Sequence, residues 1–186
     1  MSKNILICGV GGQGTVLAAK VLSQAAISGG EHVLSAETIG MAQRGGSVTS
    51  HVRIGQDIYS PLIPQGLADI IIAFEASEAV RNASFLKKDG MVIVNKKVVQ
   101  PTTASLTGKT FSEETMIEYL NKAAGKVIAV DTDQACKDLG SSKVVQIGSS
   151  SNYAFLYCNY NLKIHIPNNL CEYYNKAYRN ISVLLN

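Results

Sequence analysis

A short apolar segment, Asn4-Ile5-Leu6-Ile7-Cys8, runs straight into the glycine-rich turn Gly9-Val10-Gly11-Gly12-Gln13-Gly14, and the turn runs straight into a helical pattern. That pattern extends from Thr15 to about Ser28, with Val16, Ala19, Leu22 and Ala26 at helical spacing, and Gly29-Gly30 stops it. A second strand, His32-Val33-Leu34-Ser35-Ala36, ends at Glu37. Strand, tight turn, helix and strand in this order predict two parallel strands joined by a right-handed crossover. Few folds accommodate that unit, and most of them are layered α/β domains.

The rest of the chain continues the alternation. Thr38 to Gly46 reads as a polar loop. Ser47 to Ile54 alternates, with Val48, Val52 and Ile54 on one side and Thr49, His51 and Arg53 on the other, as a half-buried strand does. Pro61 and Pro64 bracket Leu62-Ile63 in a loop. Ala68 to Phe74 is a continuous apolar run of the kind buried on both faces of a parallel sheet. A helix is expected over 76–88, a turn at Asp89-Gly90, and a strand at Met91-Val92-Ile93-Val94. Ser112 can cap a helix that carries Glu113 and Glu114 in its first turn, favourable against the helix dipole, and that runs to Ala124-Gly125. A strand over Lys126 to Asp131 and a short helix from Asp133 follow. The expected fold is α/β: a single doubly wound domain with a mostly parallel sheet of about five or more strands and helices on both faces.

Composition narrows the function classes. At 186 residues, 46% apolar and 17% charged, the chain can bury a real core and shows no signature of disorder. The formal charge of +3 is not concentrated in any basic run, so neither nucleic acid nor a membrane is expected as a partner. Cys8, Cys136, Cys158 and Cys171 match neither a zinc spacing nor an iron–sulfur run. Residues 1–10 lack the features of a signal peptide, and no apolar run approaches the roughly 20 residues needed to span a bilayer. A cytoplasmic setting is the expectation.

Gly9-x-Gly11-x-x-Gly14 has the spacing of a dinucleotide fingerprint, and Glu37 stands where a ribose-binding acid would lie. The same turn also serves packing or other ligands in doubly wound folds, so an NAD-dependent dehydrogenase is one alternative and a non-catalytic CoA-binding module another. In a second loop, Met41, Gln43, Arg44, Gly45, Gly46 and Ser47 can present a guanidinium, exposed N–H groups and a hydroxyl donor to one anionic group. A solvated arginine beside a flexible turn explains the same residues, and spacing does not decide between the two. Glu75 ends an apolar strand, where open α/β sheets bind ligands. His51 and Arg53 share the polar side of one strand and read as a solvated or interface face; His32 and His165 have no partner at a useful spacing. Cys8 reads as a small buried residue.

Taken together, Gly9-Val-Gly-Gly-Gln-Gly14, Met41-Ala-Gln-Arg-Gly-Gly-Ser-Val48, Tyr59-Ser-Pro-Leu-Ile-Pro64 and Ala68-Asp69 resemble one family over about residues 3–147. It is the gamma-type domain of the 2-oxoacid:acceptor (ferredoxin) oxidoreductases, in the form closest to the beta subunit of indolepyruvate ferredoxin oxidoreductase. The resemblance implies an obligate subunit that is inactive alone. A large partner subunit would carry thiamine diphosphate, magnesium and 4Fe-4S clusters, coenzyme A would be the co-substrate, and electrons would pass through the complex to ferredoxin. No cofactor is expected to be bound tightly by this chain. The resemblance assigns Gly11, Gly12, Gln13 and Gly14 to one wall of a substrate or CoA site and Met41 to Ser47 to the other, with Arg44 pairing a phosphate or carboxylate and Gln13 supplying a neutral hydrogen bond. The family tends to carry Glu-Pro-x-Glu where this chain reads Glu75-Ala76-Ser77-Glu78, which implies a less rigid helix start.

The pattern changes near residue 149. Six of the eight tyrosines and eight asparagines fall between Ser149 and Asn186, without a helical period. The expected organisation is therefore a gamma-type domain over 1–148 and an atypical tail over 149–186. The tail is either a divergent folded C-terminus or the product of a shifted reading frame.

Overall fold

The computed structural model describes residues 2–39, 46–98 and 112–131. The helix expected from Asp133 and the tail over 149–186 lie outside these. Among the described residues the elements are β1 (Lys3–Val10), α1 (Thr15–Ser28), β2 (Val33–Ile39), β3 (Ser47–Ile54), β4 (Ala68–Ala73), α2 (Ala76–Arg81), β5 (Leu86–Asn95), α3 (Glu113–Ala123) and β6 (Lys126–Val130).

The six strands form one mixed sheet in the order β2-β3-β1-β4-β5-β6. From β1 through β4 and β5 to β6 each pair is parallel, whereas β3 runs antiparallel to both β1 and β2. The expected direct parallel pairing of β1 with β2 is thereby corrected: β3 lies between them, setting Val52 against Ile5 on one side and Ser35 on the other. The reason lies in what each strand can bury. In β3, Val48, Ser50, His51, Val52 and Ile54 are all buried, which suits a central position, while Ser35, Glu37 and Thr38 of β2 are exposed and tolerate the edge. Glu37 does not end β2, which pairs with β3 through Ile39 and Val48.

β1 is apolar on both sides because it serves two cores. Ile5 and Ile7 pack with Ala18, Ala19 and Ala26 of α1 on one face. Leu6 and Cys8 pack with Ala76 and Ala79 of α2 and Met116 and Leu120 of α3 on the other. The alanine face of α1 lets the helix lie close to the sheet, and burying a residue such as Leu6 is worth roughly 1.5–3 kcal/mol. The result is a mixed α/β domain with helices flanking both faces.

The expected helix over 76–88 is shorter. α2 stops at Arg81, where Asn82 Nδ2 donates to the Glu78 carbonyl (2.9 Å), and a 3-10 turn over Ala83–Phe85 leads into β5. Asp89 and Gly90 do not end a helix; they lie inside β5 in an irregular stretch, since Leu86 pairs with Ala68 but Met91 already pairs with Ile70. That excursion carries the Lys87 ammonium to Asp69. α3 begins as expected, with Ser112 Oγ accepting the Thr115 N–H (3.2 Å).

Candidate functional site

α1 leaves the end of β1 on one face of the sheet and α2 leaves the end of the neighbouring β4 on the other. The C-terminal ends of two such strands are where open α/β sheets bind ligands. Three stretches meet there: the glycine turn after β1, the start of β3, and the β4–α2 junction.

The glycine turn is held by its own residues. Gln13 Oε1 accepts the Val10 N–H (2.8 Å) while the Gln13 N–H donates to the Val10 carbonyl (3.1 Å). The side-chain oxygen thus helps to close the turn. Gly9 is needed for space, since a Cβ there would stand 2.7 Å from Gln13 Oε1, 2.8 Å from Thr15 Cγ2 and 3.0 Å from Phe74 Cβ. Gly12 and Gly14 are needed for backbone freedom, with φ of 98° and 86°. Gly14 caps α1 without a side-chain hydrogen bond, and the first turn carries no acidic residue. A helix N-terminus with neither feature favours an anionic group.

The second loop reaches the first directly. The Gly11 N–H donates to the Gly46 carbonyl (2.8 Å), next to the pairing of Val10 with Ser47. Of the residues assigned to this wall, Gly46 and Ser47 are therefore brought to Gly11, while Met41, Gln43, Arg44 and Gly45 lie outside the described residues.

Glu75 is fully buried and caps α2: its Oε2 accepts the Glu78 N–H (3.1 Å) and the Ser77 hydroxyl (2.5 Å). Where the family tends to have proline, the Ala76 N–H donates to the Lys97 carbonyl (3.3 Å), a bond proline cannot make. The helix start loses ring rigidity and gains a tie to the segment after β5. The sequence shows Glu78 in the family's Glu-x-x-Glu pattern but assigns it no role. It is 3% exposed, accepts the Ser47 hydroxyl at 2.5 Å, and pairs with Arg81 Nε at 3.2 Å. Burial, then the charges of Glu78 and Glu75, push the Cys8 thiol far above its usual range, so it is an inert core residue, as its sequence position suggests. Asn95, at the end of β5, closes the same edge by donating to the Phe74 carbonyl (3.2 Å). The signal for Glu78 was present as Glu-x-x-Glu at a helix start, but its partner stands 31 residues away, at the start of β3.

Other candidates fall outside this edge. His51 and Arg53 do not form a solvated face. His51 is buried, its Nδ1 accepts the Ile63 N–H (3.2 Å), and its ring meets Phe85 edge-on at 5.7 Å. Arg53 donates to Asn4 Oδ1 and to the Ser60 carbonyl, both at 2.9 Å. Together they pin the Tyr59–Pro64 segment across the sheet. Glu37 stands on β2, two strands from β1. In register it lies level with Ile7, about 10 Å away at the usual strand spacing and short of the glycine turn, so the arrangement does not reproduce a fingerprint turn with its ribose-binding acid on the next strand. Among the described residues no group of three or more His, Cys, Asp or Glu side chains could hold a metal ion.

The chain belongs to the pyruvate ferredoxin/flavodoxin oxidoreductase family, whose family model matches residues 4–156. It is 43% identical over 157 residues to indolepyruvate oxidoreductase subunit IorB of Archaeoglobus fulgidus, covering 82% of this chain and 78% of that one. With the IorB subunit of Thermococcus kodakarensis the identity is 38% over 153 residues, covering 80% and 76%. Pyruvate oxidoreductase subunit PORC of Thermotoga maritima superposes with a TM-score of 0.56 at 19% identity, covering 96% of this chain and 94% of that one. The gamma subunit of a keto/oxoacid ferredoxin oxidoreductase from Geobacter sulfurreducens gives 0.53 at 21%, covering 95% and 94%. At these identities the structural likeness speaks for the fold alone. The sequence matches bear out the resemblance carried by the motifs: this is a gamma-type domain, and the relatives named IorB share most of its length.

Proposed function

We propose that this chain is the small subunit of a 2-oxoacid:ferredoxin oxidoreductase that takes an aryl pyruvate such as indolepyruvate. A large partner subunit carries thiamine diphosphate, magnesium and the 4Fe-4S clusters, coenzyme A is the co-substrate, and ferredoxin accepts the electrons. The observation that carries this reading is the direct contact between the two glycine loops, Gly11 N–H to the Gly46 carbonyl, at the C-terminal ends of β1 and β4. The domain is read as doubly wound about that strand pair, and among the described residues its ligand edge is built from backbone amides, a hydroxyl and buried carboxylates. Such an edge suits a chain that completes a site on another subunit. The chain's similarity to indolepyruvate oxidoreductase subunits supports the choice of oxoacid.

In this scheme the chain's own residues bind and orient. The backbone-capped start of α1 is suited to an anionic group of coenzyme A or the oxoacid. Thiamine diphosphate, when bound on the partner, supplies the decarboxylation chemistry. The test is reconstitution: the chain is mixed with the large subunit from the same source, and indolepyruvate- and CoA-dependent dye reduction is followed, with each subunit alone as control. Activity only in the mixture is expected. Activity of this chain alone, or no gain on mixing while the two comigrate in gel filtration, overturns the reading.

A further inference from the structure

We propose that Glu78 is a positioning residue of this edge and that it acts through Ser47, fixing that hydroxyl as a hydrogen-bond acceptor for a neutral N–H or O–H of the co-substrate. The proposal rests on the small-subunit reading above. It begins from a carboxylate that the capping of α2 does not require. Glu75 alone caps the helix, taking the Glu78 N–H, and the helix is six residues long. Yet Glu78 is 3% exposed, with Glu75 at 0% three residues away. Taking a carboxylate out of water costs several kcal/mol unless partners compensate. Among the described residues its charged partner, Arg81, has a side chain 65% exposed, and its other side-chain partner is the neutral hydroxyl of Ser47. A methionine or leucine would fill such a place at lower cost.

What the carboxylate does is define Ser47. The hydroxyl proton is committed to Glu78 Oε2 at 2.5 Å, so Ser47 Oγ has only lone pairs left for any other group. The sequence suggested a hydroxyl donor for an anion. The structure reverses that polarity: with its proton on Glu78, the Ser47 oxygen can only accept, which disfavours a phosphate or carboxylate oxygen at this spot. A neutral donor, such as an amide N–H of coenzyme A, fits instead. The same bond fastens the first residue of β3 to α2, one residue after the Gly46 carbonyl that Gly11 holds. Glu78 therefore sets both where the Ser47 oxygen sits and what it can accept.

The test uses the full chain assembled with the large subunit, with coenzyme A as the varied substrate. Ser47→Ala and Glu78→Met each raise KM for coenzyme A by about fivefold to tenfold, the effect of one neutral hydrogen bond, while kcat stays within about twofold. Ser47→Thr keeps the hydroxyl and its bond to Glu78, and restores the wild-type KM. The double variant Ser47→Ala/Glu78→Met is no worse than Ser47→Ala, because both act through one bond. An unchanged KM in Ser47→Ala, a Ser47→Thr variant as impaired as Ser47→Ala, or additive effects in the double variant each overturn the proposal. If Glu78→Met fails to assemble, the contrast between Ser47→Ala and Ser47→Thr decides alone. The wild-type control separates the two readings: a wild-type chain that comigrates with the large subunit but gives no activity refutes the small-subunit reading and the proposal with it, whereas an active wild type with unaffected variants refutes the proposal only.

Discussion

The two ends of the β1–β4 strand pair are both crossed by polar networks, and the networks are of opposite kinds. At the N-terminal end, Asp69 accepts the Asn4 N–H (2.8 Å) and pairs with Lys87, Asn4 Nδ2 donates to the Leu67 carbonyl (2.9 Å), and Arg53 bridges Asn4 to the Ser60 carbonyl. Its carboxylate has an ammonium partner, its guanidinium is spent on carbonyl oxygens, and its result is a pinned loop. At the C-terminal end, the partners of two buried carboxylates include hydroxyls, a backbone N–H and a largely exposed guanidinium, beside a glycine turn with two left-handed residues. Polar groups at the first end hold the chain in place. At the second they leave acceptors and helix-end amides facing a common edge, which is how a scaffold and a ligand site differ in the same sheet.

The largest expected effect breaks the second region sterically. Gly9→Ala drives a Cβ into Gln13, Thr15 and Phe74, and overpacking of this kind costs about 3 kcal/mol in urea unfolding. If stability stays within 0.5 kcal/mol of wild type (about the ordinary scatter for surface changes), the turn is not as tightly closed as its contacts require. At the other end, Arg53→Ala strands Asn4 Oδ1 and the Ser60 carbonyl; a loss of about 1–2 kcal/mol is expected, with faster amide exchange at Leu62 and Ile63 and no change in KM once assembled. A change in KM there would dissolve the distinction between the two ends. Gly12→Ala meets nothing within 4 Å and pays only for its positive φ, about 1 kcal/mol, so it should sit clearly below Gly9→Ala.

The smallest effect is a pH dependence. Burial holds His51 below its ordinary 6.5, and no charged group contributes to that shift. A depressed folded-state pKa means the unfolded chain binds the proton first, so the stabilisation from neutral His51 is complete above about 6.5 and is lost as pH falls through the folded value. Protonation also removes the acceptor for the Ile63 N–H. His51→Gln should flatten the stability profile on the acid side of 6.5; an unaltered slope would assign the acid sensitivity to other groups.

Much of the fold was legible because burial on both faces leaves a continuous apolar mark. β1 and the Ala68 to Ala73 segment of β4 could be read for that reason, and α1 and α3 were bounded by Gly14, Gly29 and Ser112 through local capping chemistry. β2 was read too short because its exposed Glu37 and Thr38 look like a loop when their pairing with Ser50 and Thr49 is not known. The end of α2 was missed because Asn82 and Leu86 act there through contacts with Glu78 and Ala68. Within the site, the glycine turn and Glu75 were visible, while the link from Glu78 to Ser47 was not, since nothing in their spacing declares a hydrogen bond.

The sequence by itself determined the local units and the family: the strand–turn–helix opening, the capped helices, the apolar strands and the ordered motifs that mark a gamma-type domain. Tertiary structure alone decided that β3 enters between β1 and β2, that His51 and Arg53 serve a loop rather than solvent, and that the Ser47 hydroxyl faces a buried carboxylate. The physical reason is range. Capping, periodicity and glycine torsions act over a few neighbouring residues, whereas strand order and the partner of a buried charge are set by which distant surfaces can be removed from water together.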